Sequence, residues 1–324
     1  MGEPLITLDH LTRAFQVKRY TIKAVDDLNL AIPEGEVLCL VVESGCGKTT
    51  TGKMIAGLLA PSSGRILYYG QDIARMGRSD RARFRLGVQM VHHDVYASLN
   101  PVHTVYDIIS APLQHHGFTR GEANTRRRVR ELLETVDLTP PDDFLEKYPH
   151  QLSGGQRQRV SVARALTVLP SFLIADEAVS MVDVSIRISL LKTFARLKEE
   201  MGVGVLFITH DLALAKYFAW EGRIGVMYLG RLVEIGPARQ VVDHPQHPYT
   251  QVLLSAIPEA DPEVTRQKKR IPLRSMDVPS LLRLPSGCAF HPRCPAFLGE
   301  RCEKVTPELH RAVSGSDVAC HLVG

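Results

Sequence analysis

A buried strand that leads through a glycine-rich loop into a helix is the feature that most constrains this chain. The apolar pattern predicts the strand at residues 36–42 and the helix at residues 49–59. Between them the chain reads Glu43-Ser44-Gly45-Cys46-Gly47-Lys48-Thr49, followed by Thr50. Backbone N–H groups of such a loop can surround a phosphate, and Lys48 adds a point charge. The segment therefore predicts a P-loop in which the Thr49 hydroxyl is a Mg²⁺ ligand.

A second apolar strand ends in two carboxylates. Phe172-Leu173-Ile174-Ala175 is followed directly by Asp176 and Glu177. Asp176 can hold Mg²⁺ through water, and Glu177 can polarise the water that attacks a γ-phosphate. Acidic residues at a strand end are often merely solvated, but next to a P-loop they predict a hydrolytic phosphate site.

The alternation of strands and helices predicts a mostly parallel α/β sheet with a helical insertion. The length of 324 residues corresponds to about two domains. Composition shifts beyond Pro237, where prolines cluster, so we place a boundary near 236–245 and domains at 1–240 and 241–324. The net charge of +4 gives no reason to expect nucleic acid as a partner. No run approaches the roughly 18 apolar residues of a membrane helix and no signal peptide is recognisable, so we expect a cytoplasmic chain.

Three further motifs carry a family resemblance. Leu152-Ser153-Gly154-Gly155-Gln156 precedes a predicted helix and resembles the signature of ATP-binding cassette (ABC) ATPases. Ser180-Met181-Val182-Asp183 resembles the D-loop of that family, and Thr209-His210-Asp211 resembles its switch region. The resemblance covers about residues 5–240. It implies a P-loop NTPase cassette with a mixed sheet, a RecA-like core and a helical subdomain at about 90–165.

In the family that the chain resembles, two cassettes pair head to tail and each ATP lies between one P-loop and the partner's signature. The resemblance implies ATP contacts at residues Glu43, Ser44, Gly45, Cys46, Gly47, Lys48, Thr49 and Thr50 of one chain, and at Ser153, Gly154, Gly155, Gln156 and Asp183. It implies catalytic roles for Glu177, His210 and Lys48, and a Mg²⁺ region formed by Thr49, Asp176 and His93. Tyr20 is the candidate for stacking on adenine, with Phe15 as the alternative.

The chain departs from the family pattern near its own P-loop. Val42 replaces the first glycine of the motif, and we expect a β-branched residue there to conflict with positive φ and to crowd the loop. His93 replaces the glutamine of the Q-loop, and Ala178-Val179 replaces Pro-Thr. We expect a site that binds ATP but hydrolyses it slowly. The alternative is a catalytically degenerate subunit that pairs with an active sister ATPase.

The C-terminal part resembles the extension of oligopeptide/dipeptide and nickel importer ATPases. The resemblance rests on the run 243–250, which reads DHPQHPYT, and on the run 287–295, which reads GCAFHPRCP. The Tyr249-Thr250-Gln251 sequence is closer to the F-type subunit than to its sister. These runs indicate an ATPase of the peptide importer type.

Four cysteines crowd into this extension: Cys288, Cys294, Cys302 and Cys320. Thiolates on proline-rich loops can converge on one metal centre. The spacing lacks the paired C-x2-C of common zinc sites, and the resemblance implies a [4Fe–4S] cluster. Zinc and unliganded thiols stay as alternatives. We expect a structural role for the nearby His291.

The leading interpretation is an ATPase subunit that powers import of peptides or related solutes. The resemblance implies a sister ATPase, two transmembrane permeases and, indirectly, an extracytoplasmic substrate-binding protein as partners, with the chain at the cytoplasmic face of the membrane. Residues 92–113 are predicted to form the groove that faces the permease. A soluble ABC protein of translation or DNA repair is the rival, but such proteins usually have two cassettes or a long coiled-coil insertion.

Overall fold

The computed structural model describes residues 3–43, 47–180, 182–258, 262–267 and 269–323. The strands within these ranges are β1 (Ile6–Val17), β2 (Tyr20–Ile32), β3 (Val37–Val42), β4 (Ser63–Tyr68), β5 (Gln71–Asp72), β6 (Val88–Val91), β7 (Phe172–Asp176), β8 (Gly204–Thr209), β9 (Arg223–Tyr228), β10 (Arg231–Pro237), β11 (His310–Arg311) and β12 (Asp317–Val318). The helices are α1 (Lys48–Ile55), α2 (Arg78–Gly87), α3 (Val95–Ser98), α4 (Val105–His115), α5 (Glu122–Thr135), α6 (Asp142–Leu145), α7 (Gly154–Leu166), α8 (Val184–Met201), α9 (Leu212–Phe218), α10 (Ala238–Asp243), α11 (Pro248–Ala256), α12 (Pro262–Gln267) and α13 (Glu300–Lys304).

The strands form two sheets. The larger sheet has the order β11-β12-β10-β9-β3-β8-β7-β6, and its strands from β9 to β6 are parallel. β10 and β12 join it in antiparallel pairing, so the sheet is mixed, as the resemblance implied. The smaller sheet, β2-β1-β4-β5, is antiparallel. The parallel strands β7 and β8 are buried along their whole length, which is typical of a sheet covered on both faces.

Parallel strands place their carboxyl ends at one edge of a sheet, and this arrangement positions the site. β3 is the neighbour of β8 on one side and of β9 on the other. β7 lies next to β8 and β6 lies next to β7. The residues that follow β3, β6, β7 and β8 therefore lie near one another, which is where ligands bind in open α/β sheets.

Helices α3 to α7 lie between β6 and β7 in the chain, where a helical insertion was predicted. α4, α5 and α7 pack on one another, and their apolar faces join the continuous core. Thr104 begins α4 with a capping box to Asp107, so this helix has a fixed start. None of the helices within the described ranges is long and apolar enough to cross a membrane.

The extension is attached directly to the cassette. Its strand β12 pairs with β10, with Val318 opposite Glu234, and β11 adds to β12. The buried ring of Phe290 packs on Tyr228 and Tyr249 with centroid distances of 5.2 Å to each. The boundary near residue 240 stays a prediction, since the core sheet continues into the extension.

Candidate functional site

β3 and α1 flank the predicted P-loop. Gly47 caps α1 with a φ of 89°, and a Cβ at this position would collide with the carbonyl of Ala24. Only glycine combines that backbone conformation with so close an approach. Lys48, Thr49 and Thr50 are the first three residues of α1 and are half-buried. The predicted contacts at Ser44, Gly45 and Cys46 lie outside the described residues.

Val42 lies at the end of a strand, although it occupies the position of the first glycine in the P-loop motif. It is the last residue of β3, is fully buried and pairs with Met227 of β9. Its backbone is that of a strand, so the anticipated conflict between a β-branched side chain and positive φ does not arise. The side chain belongs to the sheet core.

Three predicted catalytic groups meet at one oxygen. Lys48 Nζ forms an ion pair with Oε1 of Glu177, and Nδ1 of His210 lies 3.2 Å from the same atom. Burial opposes ionisation of Glu177, but the hydrogen bonds from Lys48 and His210 outweigh it and lower the pKa of the carboxyl. Glu177 also has a φ of 48°, an uncommon conformation for this residue type, fixed by its N–H bond to the Ile208 carbonyl at 2.9 Å.

Asp176 offers two acceptors for a cation. It is 1% exposed, and neither carboxylate oxygen has a hydrogen bond of good geometry to the described residues. Burial raises the pKa of Asp176, and the neighbouring Thr49 hydroxyl opposes that rise. A buried carboxylate with no partner is costly, whereas oxygen ligands are what Mg²⁺ prefers. The donor set of Asp176 and Thr49 therefore fits Mg²⁺.

Two histidines follow β6 on the Asp176 side of the site. β6 pairs with β7 so that Val91 is opposite Ala175, and His92 and His93 come next. Both interact electrostatically with Asp176. Burial is the main cause of the lowered pKa of His92. His93 was predicted for this region, while His92 was missed because only its neighbour falls at the motif position.

The signature begins α7 with a capping box. The Ser153 hydroxyl accepts a hydrogen bond from the Gln156 backbone at 3.3 Å, and Gln156 Oε1 accepts one from the Ser153 N–H at 2.9 Å. A Cβ on Gly155 would lie 2.6 Å from Cγ2 of Ile186, so this glycine lets α7 approach α8. Among the described residues, no hydrogen bond or ion pair joins this helix start to Lys48 or Glu177.

Hydrogen bonds connect the predicted D-loop to Glu177 and to α8. The Ser180 hydroxyl donates to the Glu177 carbonyl at 2.9 Å, and Arg187 Nε donates to the Val182 carbonyl at 2.9 Å. Asp183 directly precedes α8 at its N-cap position and is exposed, with no cap bond from its side chain. Met181 is outside the described residues. Arg187 is a second residue that the motifs did not point to.

The aromatic candidates for adenine lie in the β1–β2 hairpin. Tyr20 is 47% exposed and pairs with Val17 beside the turn. Phe15 lies deeper in the same hairpin and is covered by the Arg13 guanidinium, 4.7 Å from its ring centroid. Tyr20 therefore has the freer ring face, and its role stays a prediction.

The four cysteines of the extension are all free thiols and lie near one another. The Cys288 N–H donates to the Cys302 carbonyl at 2.8 Å. Burial, with smaller contributions from the other three cysteines, raises the pKa of Cys288 to about 11. His291 Nδ1 donates to the Cys288 carbonyl at 2.9 Å, a structural contact.

These thiols do not form a metal-ligating group in the described part of the chain. No set of three or more His, Cys, Asp or Glu side chains is arranged there to hold a metal ion. The described geometry thus gives no support to the [4Fe–4S] cluster or the zinc ion that the sequence suggested. A metal centre at these cysteines rests on the sequence alone.

The fold and the site define a P-loop nucleotide-binding cassette with a signature helix. Comparison with known proteins agrees: residues 25–180 match the family model described as ABC transporter, and residues 233–302 match the one described as oligopeptide/dipeptide transporter, C-terminal region. A dimeric, post-hydrolysis structure of the ATP-binding cassette MJ0796 with ADP and Pi resembles this chain with a TM-score of 0.64 and 27% identity. That match covers 72% of this chain and 99% of the other.

Curated relatives extend the likeness to nearly the full length. The putative oligopeptide transport ATP-binding protein YkfD of Bacillus subtilis is 42% identical over 98% of this chain and 95% of its own. The oligopeptide transport ATP-binding protein OppF of the same organism is 46% identical over 83% of this chain and 88% of its own. The chain belongs to the ABC transporter ATPases, in the group of oligopeptide/dipeptide transport ATP-binding subunits.

Proposed function

We propose that this chain binds and hydrolyses ATP to power an importer of peptides or related solutes. The observation that carries the proposal is the convergence of Lys48 and His210 on one oxygen of Glu177, next to the unpartnered carboxylate of Asp176. The peptide cargo is supported by the names of the relatives, which are oligopeptide transport proteins. Selection of the cargo would rest with an extracytoplasmic binding protein and the permeases.

Each group has a chemical task at the γ-phosphate. Lys48 would exchange its bond to Glu177 for phosphate oxygens, which leaves the Glu177 carboxylate free to accept a proton from water. The hydrogen bond from His210, which also lowers the pKa of Glu177, would stay after Lys48 moves, and His210 can orient the water or contact the phosphate. Asp176 and Thr49 would hold Mg²⁺, which stabilises the negative charge of the phosphates, with His93 on the same side.

The site requires a second chain. Ser153, Gly154, Gly155 and Gln156 begin a helix that makes no hydrogen bond to Lys48 or Glu177, yet a helix start suits a phosphate. We infer that two cassettes pair head to tail, so that the signature and Asp183 of one chain complete the ATP site of the other. Tyr20 would stack on adenine. The partner is either a second copy or a sister ATPase.

The permease-facing surface is the region that follows the Q-loop. A cavity of about 470 Å³ lies between α2 and α7 and is lined in part by Arg85, His92 and Ser98. A cavity of about 750 Å³ continues past Asn100 and His103. We infer that two permeases dock here, which would hold the chain at the cytoplasmic face of the membrane. ATP-driven closing and reopening of the dimer would then switch the permeases between access states.

The alternative of a degenerate subunit finds no support. The relatives are transport ATP-binding proteins, and Lys48, Glu177 and His210 are in contact here. Val42 lies in the sheet core without conflict.

Dimerisation with Mg·ATP tests the proposal. Sedimentation of the Glu177→Gln chain should show a dimer with ATP and a monomer with ADP, and Gly154→Asp in the signature should prevent the dimer. A Glu177→Gln chain that stays monomeric with ATP, and that recovers no permease from native membranes, would contradict the proposal.

A further inference from the structure

The extension reaches the beginning of the P-loop. β9 ends at Tyr228, next to the end of β3, because Met227 pairs with Val42. Tyr228 is fully buried and contacts Tyr249 of α11 at 4.7 Å between ring centroids. Phe290 completes this aromatic cluster. The cluster thus seats the extension at the edge of the sheet where the phosphate loop starts.

One buried arginine of the extension is directed at the loop. The side chain of Arg293 is only 9% exposed, and the backbone N–H of this residue donates to the Phe290 carbonyl at 3.0 Å. Its Nη1 lies 3.4 Å from Oε2 of Glu43, across 250 residues of chain. The Tyr249 hydroxyl donates to the same carboxylate oxygen at 3.4 Å. Two residues of the extension therefore hold one residue of the P-loop.

The charges explain why this contact matters for nucleotide binding. A buried guanidinium is costly without a partner, so Arg293 and Glu43 stabilise each other. The Glu43 side chain is 29% exposed and comes directly before the glycine-rich loop. Without a cation beside it, that carboxylate would repel the anionic phosphates of a nucleotide. Arg293 neutralises it and fixes the first residue of the loop.

We propose that Arg293 is a positioning residue of the ATP site, acting through Glu43, so that the C-terminal extension is a part of nucleotide binding. The proposal rests on ATP binding at the P-loop. Arg293 does not touch the nucleotide itself. Its effect is on affinity, because it sets the charge and position of the loop entrance and leaves Glu177 and His210 untouched.

Binding of Mg·ATP to the full chain tests the proposal by a double-mutant cycle. Arg293→Gln should raise the Kd, and the KM of hydrolysis, about tenfold, which is about 1.4 kcal/mol, with kcat at saturating ATP within about twofold. In a Glu43→Gln background the same Arg293→Gln change should alter the Kd by less than about twofold, since no carboxylate is left to compensate. Arg293→Lys, which keeps the charge, should recover part of the affinity.

A matched control comes from the same extension. Arg274 stacks over Phe297 at 3.9 Å and donates to the His291 carbonyl, and its backbone N–H donates to the Arg293 carbonyl at 3.1 Å. Within the described residues no hydrogen bond or ion pair joins its side chain to Glu43, so Arg274→Gln alters the surroundings of Arg293 and keeps the contact between Arg293 and Glu43. Arg274→Gln should leave the Kd for ATP unchanged. Tyr249→Phe keeps the aromatic packing and removes the hydroxyl, so it tests the contact even if Arg293→Gln folds poorly, with an expected rise in Kd of about two- to threefold.

Three results would overturn the proposal. The first is an unchanged Kd for ATP in both Arg293→Gln and Tyr249→Phe. The second is a loss of ATP affinity in Arg274→Gln as large as that in Arg293→Gln, and the third is an equal loss from Arg293→Gln with and without the Glu43 carboxylate. Lys48→Ala should abolish binding in every background. If the natural chain itself bound no ATP, the proposed function would fail. If it bound ATP and Arg293 had no effect, only this inference would fail.

Discussion

Nδ1 of His210 lies 3.2 Å from Oε1 of Glu177, and Lys48 Nζ contacts the same oxygen. A carboxylate held by two donors keeps a low pKa, and burial alone would have raised it. Both donors come from other elements, one from the start of α1 and one from the end of β8. Glu177 is therefore the point at which the phosphate loop and the switch region meet.

Replacing Glu177 by Gln should lower kcat for ATP hydrolysis about 100- to 10,000-fold, because the amide cannot accept the proton from water. ATP affinity should fall little, since Lys48 is free to bind phosphate. The measurement is single-turnover hydrolysis together with ATP binding. Glu300→Gln, at an exposed ion pair with Lys304, should keep the natural rate. Fast hydrolysis by Glu177→Gln would remove Glu177 from the mechanism.

A buried histidine of the extension should make the fold sensitive to acid. Burial lowers the pKa of His247 from 6.5 to about 3. Between these values the unfolded chain binds a proton that the folded chain does not, so stability is lost as the pH falls below 6.5. Relative to His247→Asn, the natural chain should lose about 2 kcal/mol between pH 7 and pH 5.

Denaturant unfolding at several pH values would measure this loss. The buried Glu234 has a raised pKa, which acts in the opposite direction as the pH falls, so only the difference between the two chains isolates His247. His310→Asn, at an exposed position, should reproduce the natural slope. If the unfolding free energies of the natural chain and of His247→Asn ran parallel as the pH falls, His247 would not be the cause of the acid sensitivity.

Much of the cassette could be predicted because its signals are local. The apolar strand before the P-loop, the two carboxylates at the end of the β7 segment and the signature motif before α7 each occupy a few consecutive residues. Since carboxyl ends of parallel strands share one edge, the prediction of a mostly parallel sheet was enough to bring Lys48 and Glu177 to the same edge.

The contacts of the extension could not be predicted, for a physical reason. Arg293 meets Glu43 across 250 residues, and although Arg293 lies in the run 287–295 that carries the resemblance, this run does not indicate which distant residue it contacts. Val42 shows the opposite error, because the sequence motif predicted a strain that the structure does not have. The motif comparison suggested strain, but the strand pairing with Met227 gives Val42 an ordinary place in the core.

Val42→Gly should therefore destabilise the chain even though it restores the motif. Removing a fully buried side chain from a central strand, and adding glycine's backbone freedom, should cost about 2–4 kcal/mol of unfolding free energy. Val17→Gly, at a strand position that is 44% exposed, should cost about 1 kcal/mol. Thermal or denaturant unfolding of both variants measures the two losses of stability. Equal losses at both positions would contradict the core role of Val42.

Analysis of the purified chain can decide whether the four cysteines of the extension hold a metal centre, as the sequence predicts, or are free thiols, as the structure describes. A [4Fe–4S] cluster at Cys288, Cys294, Cys302 and Cys320 would give iron, sulfide and absorbance at about 400 nm after anaerobic purification. If the four cysteines stay the free thiols that the structure describes, neither iron nor sulfide is found, and in the folded chain Cys288 and Cys320 react with a thiol reagent before the buried Cys294 and Cys302. Cys302→Ser should remove the iron if the sequence prediction holds.

The region after the Q-loop should decide attachment to the permeases. Val102 is 73% exposed, an apolar side chain in the segment between α3 and α4 and next to the cavity at Asn100 and His103. Val102→Asp would place a charge in an apolar contact, and we expect the share of chain that co-purifies with the permeases to fall about tenfold or more. Val313→Asp, at a fully exposed apolar residue of the extension, should leave co-purification unchanged. Normal recovery of permeases with Val102→Asp would place the docking surface elsewhere, whereas equal losses in both variants would indicate a general loss of folded chain.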